Sequence, residues 1–239
     1  MDVSPASHTT GQAGTKPENR GREVIQTTGG ELDELLSVNG QPLTPEQRTQ
    51  EDTRIQRLAS NASELRKLQK DQKRDAENTE QMFRTLPDAV IASYASRQDG
   101  LIELKFIPNP AFRASSREAQ VFHAMEGGIW IDSKQNRLAG IEGHLTKEVK
   151  FGGGLLGHLD PGGDFRIKQT EMAPGHWEIT VMHVNMRGKV LFFKTIGVQQ
   201  DETQSDFQRV PDDLTPIQAA ARLHAQTHIT GPQQRPPNK

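Results

Sequence analysis

The chain has 239 residues, a formal net charge of −2 and no cysteine. The absence of cysteine excludes disulfides, thiolate metal sites and a cysteine nucleophile, and the near-neutral charge gives no global field that would attract nucleic acid. Only 33% of the residues are hydrophobic and 5% are aromatic, which predicts that part of the chain lies outside a packed core.

The two ends of the chain are polar and are predicted to be disordered. Residues 1–21 contain almost no large apolar side chain, and residues 211–239 end in ITGPQQRPPNK. One short helix is predicted at 215–224, because Thr215 can cap it and Pro216 suits the first helical position. No run approaches the roughly 20 apolar residues of a membrane span. The first residues lack the basic start and apolar centre of a secretory signal, so we expect a cytoplasmic chain or one that has lost its signal.

The first predicted elements are a hairpin and a long helix. REVIQT and ELDELLSV (22–27 and 31–38) form the hairpin across TTGG, and NGQPL is the turn that follows. Thr44 and Gln47 then match a capping box. From 44 to 82 the sequence is nearly free of Gly and Pro, and apolar residues recur at three- and four-residue steps: Ile55, Leu58, Ala62, Leu65 and Leu68. This spacing predicts one helix with a thin apolar stripe that lies on another element.

After Pro87 the apolar residues recur with a period of two, which predicts antiparallel strands with one apolar and one polar face. The alternating segments are LIELKFIP, RLAGIEGHLTKEV, DFRIKQTEM, HWEITVMHVNM and KVLFFKTIGV, and turn signals such as RQDG and DPGG separate them. Between two of the strands, PNPAFRASSREAQVFHAM is predicted to be a loop that ends in a short helix. The predicted fold class is therefore α+β.

The stretch FGGGLLGHLDPGGDF (151–165) contains the pattern G-x-G-x-x-G at Gly152, Gly154 and Gly157. A dinucleotide-binding turn needs a buried strand before the glycines and a long helix after them. Here the preceding LTKEVKF is half polar, and the DPGG turn follows within a few residues. The glycines therefore favour a reversal between two strands, with Leu155, Leu156 and Leu159 under the sheet.

No catalytic set, metal site or cofactor is predicted. His224 and His228 stand four residues apart, but the glutamate of H-E-x-x-H is missing, which favours coincidence in a polar tail. The basic run RKLQKDQKR (66–74) has no aromatic residue for base stacking, so it is interpreted as a solvated helix face and nucleic acid is not an expected partner. The histidines of the sheet region are interpreted as solvated or hydrogen-bonded: His144, His158, His176 and His183.

The order of several segments resembles an uncharacterised family of bacterial envelope proteins. These segments are VNGQPLTPEQRTQEDTRI, ELKFIPNPAF, GGIWIDSKQNRLAGIEGHLTKEVKFGGGLLGHLDPGGDF and VLFFKTI, within residues 22–207. That family is in turn similar to the periplasmic outer-membrane lipoprotein carrier and sorting (LolA-like) proteins. The resemblance implies an unclosed, curved antiparallel sheet, a half-barrel, whose concave apolar side holds lipid acyl chains beneath helices. It also implies a periplasmic or cell-envelope location.

We therefore expect a half-barrel domain over 22–210, partly covered by the helix 44–82, between a disordered segment 1–21 and a mostly disordered tail 211–239. Its expected function is non-enzymatic binding or transport of a lipid or lipoprotein acyl chain, with a lipid, an acylated protein or an envelope protein as partner. The residues expected to line the cavity are Ile102, Leu104, Phe106, Trp130, Ile141, Leu145, Trp177, Ile179, Val181 and Phe192. Two alternatives stay open: an envelope scaffold or interaction module with a filled core, and a lipid- or glycan-acting hydrolase using the histidines of the sheet.

Overall fold

The computed structural model describes residues 2–12, 18–114, 116–190 and 194–229. Its helices are α1 (Pro45–Ser60), α2 (Ala62–Ala89), α3 (Arg117–Phe122) and α4 (Pro216–Ile229). Its strands are β1 (Asp2–Gln12), β2 (Glu18–Thr27), β3 (Gly30–Val38), β4 (Gln41–Pro42), β5 (Val90–Gln98), β6 (Leu101–Pro108), β7 (Met125–Asp132), β8 (Arg137–Leu145), β9 (Val149–Phe151), β10 (Gly157–Leu159), β11 (Asp164–Ala173), β12 (His176–Val190), β13 (Lys194–Gln204) and β14 (Gln208–Arg209). The predicted class, an α+β protein with an unclosed antiparallel sheet, is confirmed.

The chain groups into two compact units rather than one domain over 22–210. The first unit comprises Met1–Ala6, Asn19–Arg74 and Ser205–Lys239, and the second comprises Ser7–Glu18 and Asp75–Gln204. The reason is that the chain after β13 returns to β2 and β3 and supplies apolar side chains to the first core. A return over such a sequence distance leaves no periodic signal that could predict it.

The first unit is a hairpin covered by two helices. β2 pairs antiparallel with β3, with Ile25 opposite Leu32, which confirms the predicted hairpin. The helix predicted at 215–224 is also confirmed as α4, whose Gln218 amide donates to Thr215 Oγ1. One core is buried between β2, β3, α1 and the segment from Val210 onwards. It contains Ile25, Leu32, Ile55, Ala59, Val210, Leu214, Ala219, Ala220 and Leu223.

The ends of the chain differ from the predicted disorder. Asp2–Gln12 forms β1, and its Asp2 lies opposite Arg209 of β14. Sheet pairing uses backbone amides and carbonyls, which every residue except proline supplies in full. A strand can therefore form in a segment whose side chains are too polar to predict one.

The helix predicted over 44–82 is divided into α1 and α2. Its start is confirmed, because the Gln47 amide donates to Thr44 Oγ1 and the Thr44 amide donates to Gln47 Oε1. Asn61 has an extended backbone, and its Oδ1 accepts from the amides of Ser63 and Glu64. Asn61 therefore ends one helix and caps the next, a role that short polar side chains favour.

The second unit contains an antiparallel sheet in the order β13-β12-β11-β8-β7-β6-β5. Among the described residues β5 pairs only with β6, so the sheet is not closed on that side. The predicted strands in LIELKFIP, RLAGIEGHL, DFRIKQTEM and HWEITVMHVNM are confirmed as β6, β8, β11 and β12. The predicted strand in KVLFFKTIGV corresponds to β13, but 191–193 lie outside the described residues.

The strand register defines the two faces of this sheet, because residues directly opposite each other in an antiparallel pair share a face. The apolar face contains the row Leu104, Ile129, Ile141, Ile167 and Met182, and the row Phe106, Gly127, Gly143, Phe165 and Val184. The polar face contains the row Lys105, Gly128, Glu142, Arg166, His183 and Asp201. The alternation of the sequence is therefore realised as one apolar and one polar surface.

The glycine-rich stretch reverses the chain between β9 and β10, which is the reversal between two strands that the sequence predicted. Gly157 pairs with Phe151, and Gly152 to Gly154 have φ angles of 57°, 66° and 94°. Such left-handed angles favour glycine. The expectation for the leucines is wrong in part: Leu155 and Leu156 are 66% and 46% exposed, because the turn points away from the core.

Candidate ligand-binding site

A cavity of about 310 Å³ opens on the apolar face of the second unit. This volume lies at the lower end of the range for ligand pockets, roughly 300–1,000 Å³. Its wall is formed by side chains of α2, α3, β7, β8, β11 and β12. The lining residues are Thr79, Phe83, Val121, Phe122, Met125, Ile141, Phe165, Ile167, Val184 and Met186. The wall therefore combines side chains that are distant in the sequence.

Two glycines shape the sheet beside the cavity. A Cβ atom on Gly143 would lie 2.8 Å from Phe165 Cε1 and 3.3 Å from Phe106 Cζ. A Cβ atom on Gly127 would lie 2.8 Å from Phe106 Cζ and 1.9 Å from the Glu142 carbonyl oxygen. Because Gly127 and Gly143 have no side chain, both phenyl rings can lie close to the backbone of β7 and β8. Phe165 lines the cavity from this position.

The helical side of the cavity is formed by the second half of α2 and by α3. Thr79 and Phe83 are four residues apart on α2 and so share one face of that helix. The start of α3 is capped by Ser116, whose Oγ accepts from the Ala119 amide at 3.1 Å, and the helix supplies Val121 and Phe122. This agrees with the expectation of a helix against the apolar side of the sheet.

The chemistry of the wall is apolar. Thr79 is the one polar residue among the lining side chains of the described chain, and its Oγ1 donates to the Asp75 carbonyl oxygen at 2.9 Å. That hydroxyl hydrogen is therefore already used within α2. Two methionines, Met125 and Met186, add flexible thioether side chains that adapt to ligands of different shape.

The predicted lining residues are placed differently in the structure. Ile141 lines the cavity, whereas Phe106 and Leu145 are each 1% exposed and belong to the adjoining core. Ile102 and Leu104 lie further along β6, where Leu104 is opposite Ile129 on the apolar face. The prediction for Phe192 lies outside the described residues.

The remaining predicted residues lie away from the cavity. Trp130 pairs with Gly140, and Val181 pairs with Lys168 and Thr203, which places both on the polar face. Trp177 and Ile179 lie beyond a register shift in the β11–β12 pair. The Trp177 indole there donates to Gln135 Oε1 at 3.0 Å.

Sequence reasoning missed most of the wall for a physical reason. In HWEITVMHVNM both parities of the alternation contain apolar residues: Trp177, Ile179 and Val181 in one, Met182, Val184 and Met186 in the other. The pairing with β11 decides between them, and a shift at Lys168/Gln169 changes the parity along the strand. Phe165 and Ile167 had a clear alternating signal, but the helical residues had none that pointed to a cavity.

The histidines of the sheet region do not approach the cavity wall. His183 lies on the polar face between two aspartates, and His158 lies near Glu148 and Asp160. His144 and His176 are exposed. Within the described ranges, no three or more His, Asp or Glu residues are grouped so as to hold a metal ion.

A scan against protein-family models found no match, and neither did searches of curated proteins and of solved structures. None of the helices in the described part of the chain combines the length and the hydropathy needed to cross a bilayer.

Proposed function

We propose that the second unit binds the hydrocarbon part of an apolar ligand, a lipid or a lipoprotein acyl chain, without catalysing a reaction on it. The observation that supports this proposal is the apolar cavity of about 310 Å³. An acyl chain gains about 0.8 kcal/mol for each methylene group removed from water, so it can bind without a directional contact.

A binding role fits this wall better than a hydrolytic one. Catalysis on a lipid or glycan would need positioned acids, bases or nucleophiles that converge on the ligand. The one polar side chain of the described wall, Thr79, is hydrogen-bonded within its own helix. The resemblance to lipoprotein carrier proteins supports the bacterial cell envelope as the place where the protein acts, with lipid or an acylated protein as its cargo.

The test is native mass spectrometry of gently purified protein, followed by solvent extraction of whatever is bound. A discrete added mass that extracts as lipid would establish binding and identify the ligand class. A bare chain mass, together with no uptake of a fluorescent fatty acid, would overturn the proposal. The cavity would then be a packing void in a scaffold protein.

A matched pair of substitutions locates the site. Val184 lines the cavity, whereas Val181 on the same strand lies on the polar face, and both are half-buried. We expect Val184→Phe to fill the cavity and weaken fatty-acid binding by about tenfold, which corresponds to roughly 1.4 kcal/mol. Val181→Phe should bind as the unchanged protein does. Equal effects of the two variants, with folding verified by circular dichroism, would contradict this placement.

A further inference from the structure

His183 lies in the middle of the polar face with a carboxylate on each side. Its Nδ1 is 2.5 Å from Asp201 Oδ1, and its Nε2 is 2.9 Å from Asp164 Oδ2. Asp164 is also held by Asn185, whose Nδ2 donates to Asp164 Oδ1 at 3.2 Å. The imidazole thus joins β11 and β13 to β12, the strand between them.

The chemistry of this arrangement depends on the charge of the imidazole. An ionised carboxylate only accepts hydrogen bonds, and a neutral imidazole has one N–H donor. Only the imidazolium ion can donate to Asp164 and Asp201 at the same time. Loss of one proton therefore removes both a hydrogen bond and the positive charge between the two carboxylates.

We propose that His183 is a pH-sensitive clamp that fastens β12 to both of its neighbouring strands when the imidazole is protonated. The clamp lies behind the strand that supplies Val184 and Met186 to the cavity. It is thus placed to change the stiffness of that wall. The proposal does not require a bound ligand.

The other charged groups around His183 are consistent with this role. Arg166 lies directly opposite His183 on β11, but its Nε donates to Glu142 Oε2 at 2.9 Å. Arg187 lies on the polar face further along β12, the strand of His183. His144 of β8 lies opposite Asp164 of β11. The two aspartates are therefore the groups in direct contact with the imidazole.

The expected pH dependence has a definite sign. The hydrogen bond with Asp201 has the largest effect and raises the pKa of His183 above its ordinary value of 6.5. Burial opposes this rise, and the negative charges of Asp201 and Asp164 each raise the pKa further by a smaller amount. A pKa that is raised on folding stabilises the protein fully below the unfolded value. This stabilisation is lost as the pH rises through the folded pKa.

The experiment compares the full-length protein with His183→Asn and with the control His176→Asn, which changes an exposed histidine at the start of the same strand. Urea unfolding is measured near pH 5.5 and near pH 8.5. We expect His183→Asn to lower the midpoint more at the lower pH, while His176→Asn lowers neither. An equal loss at both pH values, or a larger one at the higher pH, would overturn the clamp.

A second measurement does not depend on the folding of that variant. NMR titration of the unchanged protein should give His183 a midpoint above 6.5, and Asp201→Asn should lower it more than Asp164→Asn does. The reason is that the hydrogen bond with Asp201 is the largest influence on this pKa. A His183 midpoint at or below 6.5 in the unchanged protein would refute the proposal.

Discussion

At the scale of single residues, Glu34 of the first unit shows how a buried carboxyl group is accommodated. Its side chain is 0% exposed and lies opposite Glu23 on the neighbouring strand. Burial raises the pKa of Glu34, and the nearby guanidinium of Arg48 opposes this shift. Arg48 Nη1 donates to Glu34 Oε1 at 2.7 Å, whereas Glu34 Oε2 has no hydrogen-bond partner among the residues that the structure describes.

Removal of this guanidinium should be costly in a pH-dependent way. We expect Arg48→Met to lower the free energy of unfolding by about 1–3 kcal/mol at pH 7, because it leaves a buried charge without its partner. The loss should shrink as the pH falls, because protonation of Glu34 removes the charge whose burial costs solvation. Urea unfolding at several pH values measures both effects.

The matched control for this prediction is Arg57→Met on the same helix. Arg57 has a side chain that is 66% exposed and lies 3.5 Å from a Glu64 oxygen. Exposed ion pairs of this kind contribute less than about 1 kcal/mol. If both variants lost the same stability at every pH, Glu34 would not depend on Arg48.

At the scale of elements, close approach between strands controls the sheet beside the cavity. A Cβ atom on Gly127 would lie 1.9 Å from the backbone oxygen of Glu142, which cannot rotate away as a side chain could. A Cβ atom on Gly140 would meet the Ile167 oxygen at 3.3 Å, a milder contact. The β7–β8 pair therefore requires glycine more strictly at 127 than at 140.

We expect Gly127→Ala to lower the free energy of unfolding by about 2–3 kcal/mol, in the upper part of the range for overpacked sites. Gly140→Ala should cost clearly less, because a shift of a few tenths of an ångström relieves its contact. Thermal unfolding followed by circular dichroism gives both values. If Gly127→Ala lost less stability than Gly140→Ala, the close approach of the Glu142 carbonyl oxygen to position 127 would be contradicted.

At the scale of the whole molecule, each unit has its own core. The core of the first unit includes side chains of α4. This helix lies in the segment 211–239, which is predicted from the sequence to be mostly disordered. Leu223 of α4 is 0% exposed among Ile25 and Leu32, whereas Ile217 of the same helix is 67% exposed. One helix thus offers a buried and an exposed aliphatic residue for comparison.

Leu223→Ala should therefore lower the free energy of unfolding by about 2–4 kcal/mol, as buried leucine truncations do. Ile217→Ala should change it by no more than about 0.5 kcal/mol, the usual range for surface substitutions. Urea unfolding of the full chain measures both. A Leu223→Ala variant as stable as Ile217→Ala would mean that α4 is not needed for the first core.

Local physics determined what the sequence alone could predict: the capping box at Thr44, the hairpin across TTGG, the glycine turn at 152–154 and the alternation of β6, β8 and β11. Each of these rests on residues within a few positions of one another. The division into two units and the wall of the cavity were decided by tertiary structure. Cross-strand register selected Val184 over Val181, and packing from distant segments brought Phe83 and Phe122 to the sheet. Such contacts depend on which elements meet, and periodicity along one segment does not contain that information.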